Sequence, residues 1–251
     1  MRDLDLRSGR RALLVLLAVD GALLAVHIVQ RIVSGRDEEA LLAATRLSLS
    51  TERGVGELFG YGQTALVIAL LLLLWRASGR AGRVYIGWAV VFTTVLLDDS
   101  LQVHEAGGRF VVRHLDGEVA GLDPEQLGEL MTWALLSLLP LLLVAVLHRT
   151  SPRPARQRSW VLGALVGALI FFGAGVDTLH DVVDDHHTVA WLVGSVEDGG
   201  ELLVMSLIAA FAVAMAGTGV RWGHAPARDV LRSWEQEQPA EDGEPAARTL
   251  L

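Results

Sequence analysis

Six long apolar segments constrain the fold of this chain more than any other feature. They cover residues 12–33, 58–75, 84–104, 130–148, 160–180 and 196–220. A helix needs about 20 mostly apolar residues to cross the hydrocarbon layer of a bilayer. None of the segments alternates in polarity as a barrel strand would. The sequence therefore predicts an all-α, polytopic transmembrane bundle of six spans within residues 1–222, followed by an acidic, disordered cytoplasmic tail over residues 223–251.

The basic residues predict the orientation of this bundle. All 21 of them are arginine, and most flank alternate ends of the spans. Cytoplasmic loops are enriched in arginine and lysine, so the arginine-rich ends are expected on the cytoplasmic side. Both termini then lie inside, which requires an even number of spans. The clusters are Arg2, Arg7, Arg10 and Arg11; Arg76, Arg80 and Arg83; Arg149, Arg153, Arg156 and Arg158; and Arg221, Arg228, Arg232 and Arg248.

Composition excludes several functional classes. The formal net charge of −8 disfavours nucleic acid as a partner and leaves the lipid bilayer as the expected one. The chain has no cysteine, which excludes disulfides, thiolate metal sites and a cysteine nucleophile. The oligomeric state is left open.

Ionisable side chains concentrate in the outer halves of the predicted spans or at their outer edges. Charge inside a membrane is costly, so its placement there indicates function. Carboxylates at helix ends are often only solvated, and this alternative stays open for Glu105, Asp181 and Asp198. The predicted site residues are Asp98, Asp99, His104, Glu105, Asp177, His180, Asp181, Glu197 and Glu201, with Glu57, His27, Asp20 and Ser100 as additional candidates.

The spacing of these residues places several of them on shared helix faces. Residues three or four positions apart are neighbours on a helix surface. Three helices would thus each bring two or more oxygen or nitrogen ligands to one depth of the membrane. The sets are Asp98 with Gln102 and Glu105, Ser100 with His104, Asp177 with His180 and Asp181, and Glu197 with Glu201.

A cluster of carboxylates at one depth requires protons or a cation to compensate its charge. Histidine and carboxylate ligands without cysteine suit iron, manganese or zinc. The pair Asp177-x-x-His180 has the i, i+3 form found in di-metal carboxylate bundles, although it occurs only once. His104 would supply a second histidine, and Glu201 or Glu197 a bridging carboxylate. The sequence thus predicts a metal site for one or two ions.

A zinc hydrolase is the nearest enzymatic alternative. Ser100-x-x-x-His104 with Asp177 and His180 resembles the serine, aspartate and histidine set of the transmembrane ceramidase and progestin-receptor-like superfamily. That superfamily also has a His-x-x-x-His pair in its last helix and seven spans. The sixth predicted span here has no histidine, so the pattern departs from it in both respects.

A second likeness covers residues 57–220. Asp98-Asp99 followed by His104-Glu105, with Glu197-Asp198-x-x-Glu201 opening the last span, resembles an uncharacterised group of bacterial multi-pass membrane proteins. The resemblance implies a location in the bacterial cytoplasmic membrane and supports the choice of these site residues, but it implies no activity. A metal-dependent enzyme or metal-binding protein, a proton- or cation-translocating protein, and a non-catalytic membrane subunit or sensor all remain open.

Overall fold

The computed structural model describes residues 4–34, 54–114, 123–176 and 187–222, and these ranges are helical without a strand. A 3₁₀ turn over Gly79–Gly82 and a π-helical turn over Phe171–Val176 interrupt the α-helices. This architecture confirms the predicted all-α bundle. The α-helices are α1 (Leu6–Ser34), α2 (Val55–Ser78), α3 (Arg83–Leu101), α4 (Val103–Val112), α5 (Pro124–Thr150), α6 (Arg153–Ile170) and α7 (His187–Trp222).

Within the described ranges, five helical stretches are long and apolar enough to cross a membrane, which indicates a multi-pass membrane protein. The stretch Val55–Leu101 has 47 residues and contains both α2 and α3. The chain reverses at Gly79, whose φ of 54° favours glycine, and α2 then packs along α3. The count of six spans and the side on which the termini lie stay predictions, and the acidic tail lies outside the described residues. The other stretches are Leu6–Gln30, Pro124–Thr150, Arg153–Val176 and Leu192–Gly217.

Local capping explains where two of these helices begin. The Asp5 carboxylate accepts hydrogen bonds from the backbone N–H and the hydroxyl of Ser8, at 3.2 and 2.8 Å, at the start of α1. Asp123 and Gln126 form a reciprocal capping box at the start of α5. Such side chains satisfy amide groups that have no partner within the helix, so they fix both starting points.

Helix α7 is the centre of the bundle. In its most apolar window 61% of the residues are buried inside the protein, compared with 6% for α1. It packs against α1, α2, α6 and the π-helical turn. By contrast, Leu135 and Leu139 of α5 are largely exposed, as expected of side chains that face lipid. Fully buried side chains of the core include Leu71, Phe92, Leu162, Ile208 and Met215.

The expectation of an unbroken helix through residue 104 was wrong. Helix α3 ends at Leu101, and Gln102 adopts a left-handed conformation with φ 53° and ψ 46° before α4 begins at Val103. The face spacing predicted from Asp98 through Glu105 therefore does not apply. Neither glycine nor proline marks this break, and the stabilising contacts come from side chains described below.

Candidate metal centre

The break between α3 and α4 brings Asp98 and His104 together. The backbone N–H of Gln102 donates to the carbonyl oxygen of Asp98, which closes α3. The Asp98 carboxylate then accepts a hydrogen bond from the backbone N–H of His104 at 3.0 Å. One side chain thus caps the first turn of the next helix and holds its histidine nearby.

Asp98 and His104 also meet through their side chains. Oδ2 of Asp98 lies 3.2 Å from Nδ1 of His104, and Asp98 is only 6% exposed. The hydrogen bond to Asp98 raises the pKa of His104 above its ordinary value, although burial opposes this shift. The charges of Asp98, Glu129 and Asp99 raise the pKa further. His104 is therefore surrounded by negatively charged carboxylates.

Asp99 completes a group of three potential metal ligands. Asp98, Asp99 and His104 each offer one ligand atom, and these atoms lie within 4.8 Å of one another. Ligand atoms bound to one ion at about 2.1 Å are separated by roughly 3.0 to 4.2 Å. The pair at 3.2 Å already has this spacing, and the 4.8 Å limit for the whole group lies slightly above it. Two carboxylates and one imidazole fit iron, manganese or zinc.

Tyr61 of α2 contacts this group through its hydroxyl. Its hydroxyl lies 3.1 Å from Oε2 of Glu57 and 3.3 Å from the backbone carbonyl oxygen of Asp99. Glu57, an additional candidate from the sequence, is thereby held in the first turn of α2 beside the end of α3. Its carboxylate and the three central residues face the same end of the bundle.

Glycine residues let α4 and α5 approach closely. A Cβ atom on Gly128 would lie 2.8 Å from the carbonyl oxygen of Gly107 and 2.8 Å from Cα of Gly108. A Cβ atom on Gly107 would collide with the Thr132 hydroxyl. This contact sets α5 against the first turns of α4, where His104 lies.

The close contact places Glu129 and Trp133 opposite His104. The His104 and Trp133 rings meet edge to face with centroids 5.8 Å apart. A cavity of about 60 Å³ separates these helices from the π-helical turn. That volume corresponds to roughly two water molecules, and its lining is partly polar. The lining residues are His104, Gln126, Glu129, Leu130, Trp133, Gly173 and Ala174.

Glu129 is a site residue that the sequence reasoning missed. It lines the cavity with His104, and its charge raises the pKa of that histidine. The available signal was weak: Glu125 and Glu129 lie one turn apart just before the fourth apolar segment. The glycines on α4 and α5 were the other clue that these helices approach each other.

Glu201 reaches the edge of the same region from α7. A Cβ atom on Gly173 would collide with its carboxylate and would lie 3.5 Å from the ring of Trp133. Glycine in the π-helical turn thus leaves room for the Glu201 side chain. Glu201 is not one of the three residues whose ligand atoms lie within 4.8 Å of one another.

The other candidates are not part of the three-residue group. Glu105 forms a salt bridge with Arg109 at 3.1 Å. His27 is buried, with Nε2 3.4 Å from the Ser195 hydroxyl. Ser100 is half-buried near the end of α3, and Glu197 lies one turn before Glu201 on α7. The Asp20 carboxylate lies 2.7 Å from the Ser206 hydroxyl. The predicted ligands Asp177, His180 and Asp181 lie outside the described residues.

Comparison with known proteins places the chain in a family. A family described as "Domain of unknown function (DUF8692)" matches residues 11–215. The chain belongs to this family. The match includes α2 to α6 entirely, and with them the Asp98, Asp99 and His104 group. No curated protein and no solved structure matches the chain.

Proposed function

We propose that this chain is a membrane metalloprotein of the bacterial cytoplasmic membrane, with a metal site held by Asp98, Asp99 and His104. The observation that carries the proposal is the convergence of these three ligand atoms within 4.8 Å. The arginine distribution supports six spans with both termini inside, which would open the site to the extracytoplasmic side.

Charge supports the presence of a cation. In the described residues, His104 is the only salt-bridge partner of Asp98, and Asp99 has none. Two adjacent carboxylates among apolar helices repel each other unless a positive charge compensates them. A divalent ion would balance both carboxylates and use the neutral imidazole as its third ligand.

The ligand set supports iron, manganese or zinc over magnesium or calcium. Imidazole nitrogen favours transition metals, whereas magnesium and calcium prefer oxygen ligands alone. A metal of this kind, when bound, lowers the pKa of coordinated water. Glu129 faces the partly polar cavity beside His104, where its carboxylate is placed to accept a proton from a bound molecule. Asp177, His180 and Glu201 are the proposed ligands of a second ion.

Elemental analysis of the detergent-purified full chain tests this function. Wild-type protein should retain iron, manganese or zinc in a stoichiometric amount after dialysis against a weak chelator. Asp98→Asn and His104→Ala should both lose it. Glu105→Gln is the matched control, because Glu105 pairs with Arg109 on the same short helix. If no sample binds metal after reconstitution, or if both variants keep it, the proposal is wrong.

A further inference from the structure

Three polar side chains from three different helices meet inside the bundle, away from the metal site. Ser206 of α7 is completely buried and lies 2.7 Å from Oδ2 of Asp20 on α1. Nε2 of Gln63 on α2 lies 2.8 Å from the same hydroxyl oxygen. All three residues belong to stretches apolar enough to span a membrane.

The hydrogen-bond directions leave two oxygens of this group without a donor. The Ser206 hydroxyl has one proton and donates it to Asp20, so it accepts from the Gln63 amide. This fixes the orientation of the amide. Oδ1 of Asp20 and Oε1 of Gln63 are then buried acceptors to which no described residue donates. Gln63 is only 3% exposed, so bulk water does not donate a hydrogen bond to it.

The surroundings close the group off from the outer polar site. Leu23 and Leu202 are buried and pack with Leu24 and Phe59. These residues lie about one helical turn from Asp20, Ser206 and Gln63 along their respective helices, on the side of the metal centre. An apolar layer therefore separates the two polar groups.

We propose that Asp20, Gln63 and Ser206 form a second, independent binding site, whose ligand is one sodium ion. A hard cation prefers the carboxylate, amide and hydroxyl oxygens that this group offers, and the absence of nitrogen or sulfur ligands disfavours transition metals. One carboxylate matches one monovalent charge, whereas a divalent ion would leave a net positive charge among apolar helices. An ion bound between Asp20 and Gln63 would satisfy both oxygens that lack a donor.

Thermal unfolding of the full chain in detergent tests the site through the fluorescence of its seven tryptophans. Measurements at fixed pH and ionic strength compare sodium, potassium and choline chloride, with a chelator present to exclude divalent ions. Sodium should raise the wild-type unfolding temperature by about 3–6 °C in a saturable manner, because only the native state binds it. Potassium and choline should not produce this increase.

Two variants and one direct measurement complete the test. Asp20→Asn, which has nearly the same shape, and Gln63→Leu should each abolish the response to sodium, whereas Glu105→Gln should retain it. Equilibrium binding of ²²Na⁺ to the wild type should reach one ion per chain, and this result does not depend on the folding of any variant. Equal stabilisation by all three salts, or an absence of bound ²²Na⁺, would overturn the proposal. Asp98→Asn should lose transition metal but keep the sodium response, which separates this site from the proposed function.

Discussion

The Asp98 carboxylate contacts both the backbone and the side chain of His104. Oδ1 accepts from the backbone N–H at 3.0 Å, and Oδ2 lies 3.2 Å from Nδ1 of the ring. The first contact caps α4, and the second orients the imidazole. The same residue therefore shapes the chain at the helix break and takes part in the candidate metal site.

Replacing Asp98 should separate these two roles. Asp98→Ala removes the cap as well as the ligand, and we expect a loss of roughly 1–2 kcal/mol in stability, typical of a missing cap. Asp98→Asn retains an oxygen that accepts from the His104 N–H, so it should lose metal with a smaller loss of stability. Metal-free unfolding curves of both variants provide the measurement. Equal destabilisation by Asn and Ala would show that the cap contributes little.

The glycine contact between α4 and α5 should be sensitive to a single methyl group. Gly128→Ala places a Cβ atom within 3 Å of the backbone of Gly107 and Gly108. We expect a loss of about 1–3 kcal/mol from overpacking, together with weaker metal binding as His104 moves. Gly167→Ala on α6 is the control, because its Cβ atom would meet nothing within 4 Å. The unfolding temperature and the metal content of both variants provide the measurement. Equal values for Gly128→Ala and Gly167→Ala would contradict the prediction.

The stability of the metal-free protein should depend on the protonation of His104. Its pKa is raised in the folded protein, first by the hydrogen bond to Asp98. The protonated ring therefore stabilises the fold fully below the ordinary pKa of 6.5, and this stabilisation is lost as pH rises through the folded-state pKa. Glu129→Gln removes one of the charges that raise it, so the stabilisation should be smaller and its loss should be complete at a lower pH.

Titration of the His104 ring signals by NMR checks this shift, with metal removed. Glu105→Gln is the comparison, because the carboxylate that it removes already pairs with Arg109. An unchanged His104 pKa in Glu129→Gln would mean that Glu129 does not act on this ring. Metal affinity should show the opposite trend and rise with pH, since protons compete for the same ligands.

Tyr61 should affect metal affinity without being a ligand. Its hydroxyl links Glu57 to the backbone of Asp99. Tyr61→Phe should therefore weaken metal binding by roughly 10-fold, the lower range for groups that orient ligands. Competition titration with a chromophoric chelator measures the change. Tyr85→Phe is a suitable control, because that hydroxyl accepts from Arg158 instead, and a comparable loss there would contradict a local effect.

The sequence was sufficient to predict the helices and part of the site. Continuous apolar runs predicted the all-α bundle, and the cost of charge in a membrane placed Asp98, Asp99 and His104 among the nine predicted site residues. The helix-face reasoning was nevertheless wrong here, because it grouped Asp98 with Gln102 and Glu105, and His104 with Ser100. Asp98, Asp99 and His104 converge because the helix breaks at Gln102. A glutamine in the left-handed backbone conformation has no recognisable pattern in a single sequence.

Residues whose positions depend on contacts between helices were harder to predict. Glu129 lies before the fourth apolar segment and resembles a solvated helix start until the glycine contact places it against His104. Asp20 stood alone in its span, because its partners are separated from it by 43 and 186 positions. Such pairings depend on which helices pack together, and apolar composition does not specify that.

The single-residue connection between α3 and α4 also limits how the length of this region can vary. Each residue turns a helix by about 100°, so inserting or deleting one position next to Gln102 would point His104 away from Asp98. Glycine or asparagine at position 102 would preserve the left-handed turn. Natural variation in this family should therefore include substitutions at that position but neither insertions nor deletions between Asp98 and His104.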